Sequence, residues 1–190
     1  MIHKDVQFTH QALAEENSLI EKSKLDPQSF RSLYEKYFKR IFVFVLHRTG
    51  DKTLSADITS QVFLKALLNI NKYKSKGLPF SAWLFRIALN ECNDYFRKNN
   101  RHRIVTMDEE MVASLHEEIT AEHRIEDLKN HLPAILEKLS APDLQIIEMR
   151  FFEQRPFKEV ADILGITETY AKVKVYRVLD KMKKLFLMNS

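Results

Sequence analysis

The chain has 190 residues, 45% hydrophobic and 11% aromatic, so it can bury a core and is not disordered by composition. Its 3 glycines and 5 prolines argue against a turn-rich β fold, and the single Cys92 excludes a disulfide framework or a multi-cysteine metal site. The net charge of +4 suits an anionic partner without requiring one.

The first 27 residues are polar and form an N-terminal extension, with a helix predicted from about Gln11 to Ser23. They contain no apolar segment of signal-peptide length, and the longest apolar run of the chain, residues 41–46, is far shorter than a membrane span. We therefore expect a cytoplasmic protein without membrane insertion.

Residues 28–100 show three helical periods and are predicted to form a first small helical domain. A break at residues 49–51 separates the first two helices, and the 73–79 loop, which contains a glycine and a proline, precedes the third. That third helix is predicted from about Phe80 to Asn99, with Trp83 among its inward, packing residues.

Residues 101–127 are rich in acids and weak in apolar periodicity, which predicts an acidic linker that is helical in part. A second helical domain is predicted over 128–190. One helix should cover about 124–139, and another should begin at Ser140, whose hydroxyl and the acid three residues later approach a capping box. The predicted fold class is all-α, with two small helical domains joined by an acidic linker.

The segment 157–185 predicts a helix-turn-helix, because two helical periods meet at Gly165 and Thr167 can cap the second helix. Apolar residues share one side of that second helix. The candidate DNA-contacting residues on its other side and margins are Thr169, Tyr170, Lys172, Val173, Lys174, Tyr176, Arg177 and Lys181. Central side chains would reach base edges and lysines would contact phosphates; a solvated lysine-rich face is the alternative.

A second group of candidates lies on the third predicted helix and the loop before it. Its members are Tyr73, Lys74, Lys76, Arg86, Asn90, Asn93, Arg97 and Lys98. Aromatic, amide and basic groups together suit single-stranded nucleic acid, through stacking, base-edge hydrogen bonds and phosphate neutralisation. Taken alone, this group is more typical of a solvated helix face.

Three segments, in order, resemble the extracytoplasmic-function (group 4) sigma factors of bacterial RNA polymerase. ADITSQVFLKA (56–66) is similar to the helix that those proteins place on the polymerase clamp, and FSAWLFRIALN (80–90) to their promoter-melting segment. RFFEQRPFKEVADILGIT (150–167) and VKVYR (173–177) resemble their −35-reading domain. The similarity runs from about residue 17 to 187.

The resemblance implies a factor that brings core polymerase to promoters and helps to open them, with a region 2-like domain over 28–100 and a region 4-like domain over 128–190. Asp57, Gln61 and Phe63 fall where the family meets the clamp helices of the β′ subunit. The second group of candidates would contact the −10 element, and the final helix the −35 element. The resemblance implies promoter DNA and core polymerase as partners, allows for an anti-sigma protein, and implies neither a cofactor nor a metal nor catalysis.

The sequence departs from the family pattern at several of these positions. Ser60 and Gln61 stand where many members carry Gln-Glu, and residues 169–171 replace the common Gly-Thr-Val. Val173 stands where a small polar residue is common, so contact with a thymine methyl is expected there in place of a hydrogen bond.

Two functions of other classes stay open at this point. A stand-alone helix-turn-helix transcriptional regulator with a ligand-sensing or dimerising N-terminal lobe explains the last 60 residues but leaves Asp57, Tyr73 and Asn90 without a role. An all-α hydrolase or metal enzyme would draw on His116, Glu117, Glu118 and His123. The seven-residue spacing of those histidines does not match HExxH, and no Gly-rich phosphate loop or nucleophile motif is present.

Overall fold

The computed structural model describes residues 10–99, 107–120 and 125–189, and these ranges contain helices and no strand. The chain divides into two compact units, residues 1–106 and 107–190. The helices of the first unit are α1 (His10–Leu25), α2 (Arg31–Thr49), α3 (Lys52–Asn69) and α4 (Phe80–Asn99). Those of the second are α5 (Glu109–Thr120), α6 (Ile125–Glu137), α7 (Ala141–Ile147), α8 (Phe157–Leu164) and α9 (Glu168–Asn189). Within the described ranges no helix has the length and hydropathy needed to cross a membrane.

The first unit packs α2, α3 and α4 around an aromatic core. Phe30 meets the rings of Phe63 and Phe80 edge-on, at centroid distances of 6.4 and 6.5 Å. The predicted break between the first two helices is confirmed: Gly50 ends α2 in the left-handed region, at φ 66°, and the Asp51 carboxylate accepts the Leu54 N–H to cap α3. These two caps fix the angle at which α3 leaves α2.

The predicted third helix is also confirmed, since α4 begins at Phe80 and ends at Asn99. Between α3 and α4 lie a 3₁₀ turn over Ile70–Lys72 and the 73–79 loop. Gly77 adopts φ 67° there, a conformation that strains residues with a side chain. The N-terminal segment is more than an extension, because α1 packs onto this unit and buries Ile20.

The acidic segment is helical in part, as predicted: residues 109–120 form α5. One face of α5 buries Met111, Val112, Leu115 and Ile119, and it packs on α6 and α9 of the second unit. The acids that suggested a solvated tether lie on the remaining faces, where Glu109 pairs with Lys129 at 3.5 Å. The apolar period of this segment, weak in the sequence, is therefore the buried face of a helix in the second unit.

The helix-turn-helix is confirmed in its local geometry. Gly165 ends α8 at φ 68°, and the Ile166 N–H returns to the Ala161 carbonyl at 3.0 Å. Thr167 caps α9, because its hydroxyl accepts the Tyr170 N–H at 3.2 Å. The buried side of α9 includes Ala171, Val175, Val178 and Met182, as the apolar series predicted.

Candidate nucleic-acid and polymerase interfaces

The first three turns of α9 present an exposed surface that we call the reading face: Thr169, Tyr170, Val173, Tyr176 and Arg177. At 100° per residue these positions lie on the side of α9 opposite its buried series. Three are large apolar or aromatic side chains, with Tyr170 48%, Val173 41% and Tyr176 64% exposed. An isolated exposed apolar residue is ordinary, but three neighbours on one helix indicate a contact surface.

The predicted phosphate-contacting lysines of α9 differ in their surroundings. Lys172 is exposed and pairs with Glu168 at 2.8 Å, one turn earlier. Lys174 and Lys181 both approach Asp143 of α7, each at 3.7 Å, and the Lys174 side chain is only 18% exposed. Asp143 therefore draws two of the predicted cations towards the body of the unit.

A cavity of about 360 Å³ opens between α3 and α4 in the first unit. Its lining consists of Lys65, Asn69, Lys72, Trp83, Ile87, Asn90 and Glu91. Lys65 and Glu91 pair with each other at 2.5 Å. The indole, the two amides and the ammonium of Lys72 remain to stack on a base, bond its edge and neutralise a phosphate. Its volume falls in the range of small-molecule sites.

The cavity includes only one of the predicted −10 residues, Asn90, and adds several that the sequence analysis missed. Trp83, expected to be a packing residue, is half-buried and forms part of the wall. The spacing of seven between Trp83 and Asn90 places both on one face of α4, which is the signal that could have found the pair. The residues that α3 adds to the lining could be identified only from the tertiary structure.

Tyr73 lies beside this cavity but not in its lining. Its side chain is 9% exposed and packs against Phe80 and Trp83, at centroid distances of 5.2 and 5.0 Å. A ring enclosed in this way cannot stack on an extruded base without unpacking. The packing thus favours a supporting position for Tyr73 against Trp83 over the predicted direct contact with DNA.

The rest of the second candidate group is divided between the surface and the interior. Lys74, Lys76, Arg97 and Lys98 are exposed, whereas Arg86 and Asn93 are half-buried. The Asn93 Oδ1 accepts a hydrogen bond from buried Arg48 at 3.2 Å, and Arg97 pairs with Asp94 at 2.9 Å. The amide of Asn93 thus joins α4 to α2, while the exposed lysines lie on the loop and at the end of α4.

On α3, the exposed residues Asp57, Gln61, Leu64 and Leu68 form a single stripe, which we call the clamp stripe. Their spacing of 4, 3 and 4 keeps them within about 60° of one another on the helix. Leu64 is 48% and Leu68 70% exposed. Two polar groups followed by two uncovered leucines are the composition of a protein-binding surface.

Phe63 does not belong to this stripe. It is 3% exposed and packs against Phe30 and Tyr34, in the core of the first unit. Its burial argues against a direct contact with polymerase. The helical angle argues the same way, because Phe63 lies about 120° from Asp57. Leu64 and Leu68 are the residues that the same angle places beside Asp57 and Gln61.

The histidines and acids proposed for a metal enzyme do not gather in the part of the chain that the structure describes. His116, Glu117 and Glu118 lie on α5, and His123 lies outside the described residues. No group of three metal-ligating side chains comes together within those described ranges.

Two family models match the chain: Sigma-70 region 2 over residues 33–102, and Sigma-70 region 4 over residues 135–184. The first covers most of α2, all of α3 and α4, the clamp stripe and the cavity. The second covers α7 and α8 and the reading face of α9. Together they span well over half of the chain.

Curated relatives agree with these matches. The chain is 28% identical over 169 residues to the ECF RNA polymerase sigma factor BldN of Streptomyces coelicolor. The aligned region covers 88% of this chain and 64% of BldN. It is 27% identical over 157 residues to the ECF RNA polymerase sigma factor SigM of Bacillus subtilis, covering 81% and 93%. The chain thus spans slightly less than two thirds of BldN and nearly all of SigM.

Solved structures share the fold. One is CnrH in complex with the cytosolic domain of CnrY, with a TM-score of 0.62 and 18% identity over 92% of this chain and 99% of that one. Another is the sigma factor RpoE in complex with the anti-sigma factor NepR from Bartonella quintana, with a TM-score of 0.59 and 18% identity over 86% and 99%. The all-α, two-domain architecture is therefore that of sigma factors.

Proposed function

Since the chain belongs to the sigma-70 family, in its extracytoplasmic-function (ECF) group, we propose that it directs core RNA polymerase to specific promoters and assists their melting. The observation that carries the proposal is the presence of three different surfaces on the two matched regions: the reading face, the cavity and the clamp stripe. Each suits a different partner. The protein is a transcription initiation factor, and we propose that it acts in the cytoplasm and catalyses no reaction itself.

The reading face is proposed to lie in the major groove at the −35 element. Arg177 is the residue best suited to a base edge, because its guanidinium can donate two hydrogen bonds to a guanine. Val173, Tyr170 and Tyr176 offer apolar contact, which suits thymine methyl groups. Lys172 is proposed to contact the phosphate backbone, where binding is independent of sequence and weakens with salt.

The cavity between α3 and α4 is proposed to hold an extruded base of the −10 element. Trp83 provides the stacking surface, and Asn90 offers an amide to the base edge. Lys72 and the exposed Lys74 and Lys76 would meet the adjoining phosphates. Capture of the base offsets an unpairing cost of a few kcal/mol, so melting follows from binding.

The clamp stripe is proposed to bind the β′ clamp helices of core polymerase. Leu64 and Leu68 would supply the apolar contact, and the carboxylate of Asp57 and the amide of Gln61 would supply hydrogen bonds. The similar sigma factor RpoE was solved with the anti-sigma factor NepR, so we propose an anti-sigma protein as a further partner.

Two substitutions in the first unit test whether these surfaces act separately. Asp57→Arg should weaken core binding, because an acceptor becomes a repelled or unpaired charge. Asn90→Ala should leave core binding nearly intact but impair promoter opening, and a template already mismatched at the −10 element should partly restore it. The measurements are core titration and open-complex formation on matched and mismatched templates.

The matched control is Glu15→Arg, which makes the same charge reversal on the exposed surface of α1. It should change neither measurement. Equal losses in both assays for Asp57→Arg and Asn90→Ala would contradict the division of the unit into two surfaces.

The stand-alone regulator is not favoured. Its N-terminal lobe would have no reason to match Sigma-70 region 2 over residues 33–102, and the relatives named above are sigma factors. A regulator should also shift a defined duplex by itself, whereas the sigma factor is expected to need core polymerase.

A further inference from the structure

Glu16 is a buried carboxylate on α1, ahead of the first residue that the region 2 model matches. Its side chain is 1% exposed. One oxygen accepts hydrogen bonds from the Tyr37 hydroxyl and from Lys36 Nζ, the latter at 2.7 Å. The other oxygen accepts the backbone N–H of Phe80 at 2.6 Å. Burial of a carboxylate is unfavourable unless it is bonded in this way, so the carboxylate and its three donors depend on one another.

The Phe80 N–H is the first amide of α4, where the 73–79 loop ends. The first four amides of a helix lack intrahelical acceptors, and the helix dipole favours an anion there. Glu16 supplies both an acceptor and a negative charge. The same helix, α1, also packs against the 3₁₀ turn Ile70–Lys72, from which the loop begins. Both ends of the loop are therefore held by α1.

Phe80 connects Glu16 to the wall of the cavity. Its ring packs on Tyr37, Tyr73 and Trp83, at centroid distances of 6.2, 5.2 and 5.4 Å. Trp83 lines the cavity, one helical turn further along α4. A shift of the Phe80 backbone would be transmitted to the indole through direct packing, because a closely packed interior has little room to absorb it.

We propose that Glu16 is a positioning residue for the −10 site: it fixes the start of α4 and, with it, the 73–79 loop and the indole of Trp83. This inference rests on the proposed function of the cavity. A site that is ordered before its ligand arrives loses less conformational freedom on binding, so it binds more tightly. Release of Glu16 should therefore weaken base capture while leaving the clamp stripe and the reading face unchanged.

The test compares Glu16→Gln with Glu15→Gln in the full chain. A glutamine amide at position 16 has one acceptor oxygen in place of two carboxylate oxygens, so the three donors cannot all keep their bonds. Glu15 is exposed on the same helix and undergoes the same loss of charge, which makes it the matched control. Hydrogen exchange of residues 73–83 in the free protein reports on the loop. Core titration and open-complex formation, on duplex and on −10-mismatched templates, report on function.

For Glu16→Gln we expect faster exchange at Phe80 and the loop, core affinity within about twofold of the parent, and about tenfold less opening of the duplex, partly restored by the mismatch. Glu15→Gln should match the parent throughout. Tyr37→Phe removes one donor and keeps Glu16, so it should show the same pattern more weakly. The measurements can be made on this variant if Glu16→Gln does not fold.

Unchanged exchange at the loop in both Glu16→Gln and Tyr37→Phe would overturn the inference, as would an equal loss of core binding and opening, which indicates a general folding role. Faster hydrogen exchange with undiminished promoter opening would overturn it as well, because the fixing of the loop by Glu16 would then have no effect on opening. If the parent protein opened no promoter with core polymerase, the proposed function would fail, and the exchange data would still decide whether Glu16 holds the loop.

Discussion

The two units carry DNA-binding candidates of opposite shape. In the second unit the reading face is convex, on a helix whose Tyr170, Val173 and Tyr176 project into solvent. In the first unit the candidates surround a cavity between two helices, and Trp83 is half-buried in its wall. A convex helix can enter the groove of an intact duplex, whereas a cavity can receive only a base that has left the stack.

This difference separates recognition from opening in physical terms. The reading face needs no support beyond the packing of α9, because its side chains act from a rigid helix. The cavity depends on the loop before α4, on packed rings and on the buried Glu16. We therefore expect substitutions near the cavity to affect stability and function together, and substitutions on the reading face to affect function alone.

The largest expected effect contrasts two tyrosines. Tyr73→Ala should lower the free energy of unfolding by about 3–5 kcal/mol, because it removes a buried ring from between Phe80 and Trp83. Tyr176→Ala should change it by less than about 0.5 kcal/mol, since that ring is 64% exposed. Denaturant unfolding of each variant measures both values.

The same pair of variants distinguishes an aromatic residue that contacts DNA directly from one that only supports the structure. If Tyr73→Ala kept its stability and lost only promoter opening, Tyr73 would be a direct contact after all. Tyr73→Phe is the matched control: it retains the ring and should retain most of the stability.

The helices could be predicted from the sequence because their signals are local. The cap at Thr167 and the left-handed Gly165 need only neighbouring residues, and the structure has both as predicted. The break predicted at residues 49–51 contains a left-handed Gly50 and a cap at Asp51. The sequence predicted helix within residues 101–127 without locating it, because acids on the outer faces of α5 outweighed a buried series that begins at Met111. Composition describes the surface of such a helix and not its core.

The sites were less predictable, for reasons that differ by residue. The burial of Phe63 follows from helical angle and could have been recognised. The enclosure of Tyr73 by Phe80 and Trp83 depends on how the loop folds back on α4, which no local pattern specifies. The approach of Asp143 to Lys174 joins residues 31 positions apart, so only the tertiary structure places it.

The next largest effect concerns Arg177. Its replacement by Ala should cost about 1–3 kcal/mol at one base pair of the −35 element, because a bidentate contact with a guanine would be lost. A −10-mismatched template should not restore this loss, because the substitution changes −35 binding and not the cost of unpairing the −10 element. Competition between single-base −35 variants in the presence of core polymerase measures the effect. A uniform loss across all variants would instead assign Arg177 to the phosphate backbone.

A smaller effect is expected at Val173. Replacement by Ser removes two methyl groups and adds a hydroxyl, so preference for a thymine at the contacted position should fall by about 1 kcal/mol, roughly fivefold. Comparison of thymine with uracil at that position measures the contribution of the base methyl directly. The parent protein should distinguish the two bases and Val173→Ser should not; equal discrimination by both would show that Val173 makes no apolar contact with the base.

The smallest effect should come from Asp143, which approaches Lys174 and Lys181 at 3.7 Å each. Asp143→Asn removes one negative charge from beside α9 and makes both lysines available to interact with phosphates. Because the pairs are long and Lys181 is 45% exposed, each contributes little to folding, and stability should change by less than about 1 kcal/mol.

DNA affinity of the Asp143→Asn holoenzyme should rise a few-fold for all −35 sequences alike, and the dependence of log K on log salt should steepen by up to about 1.8 if both lysines each engage a phosphate. Glu137→Gln is the matched control, since it removes an exposed negative charge from α6 and should leave the slope unchanged. A gain confined to one −35 sequence would mean that the lysines read bases. An unchanged slope would mean that Asp143 does not keep Lys174 and Lys181 from the phosphates.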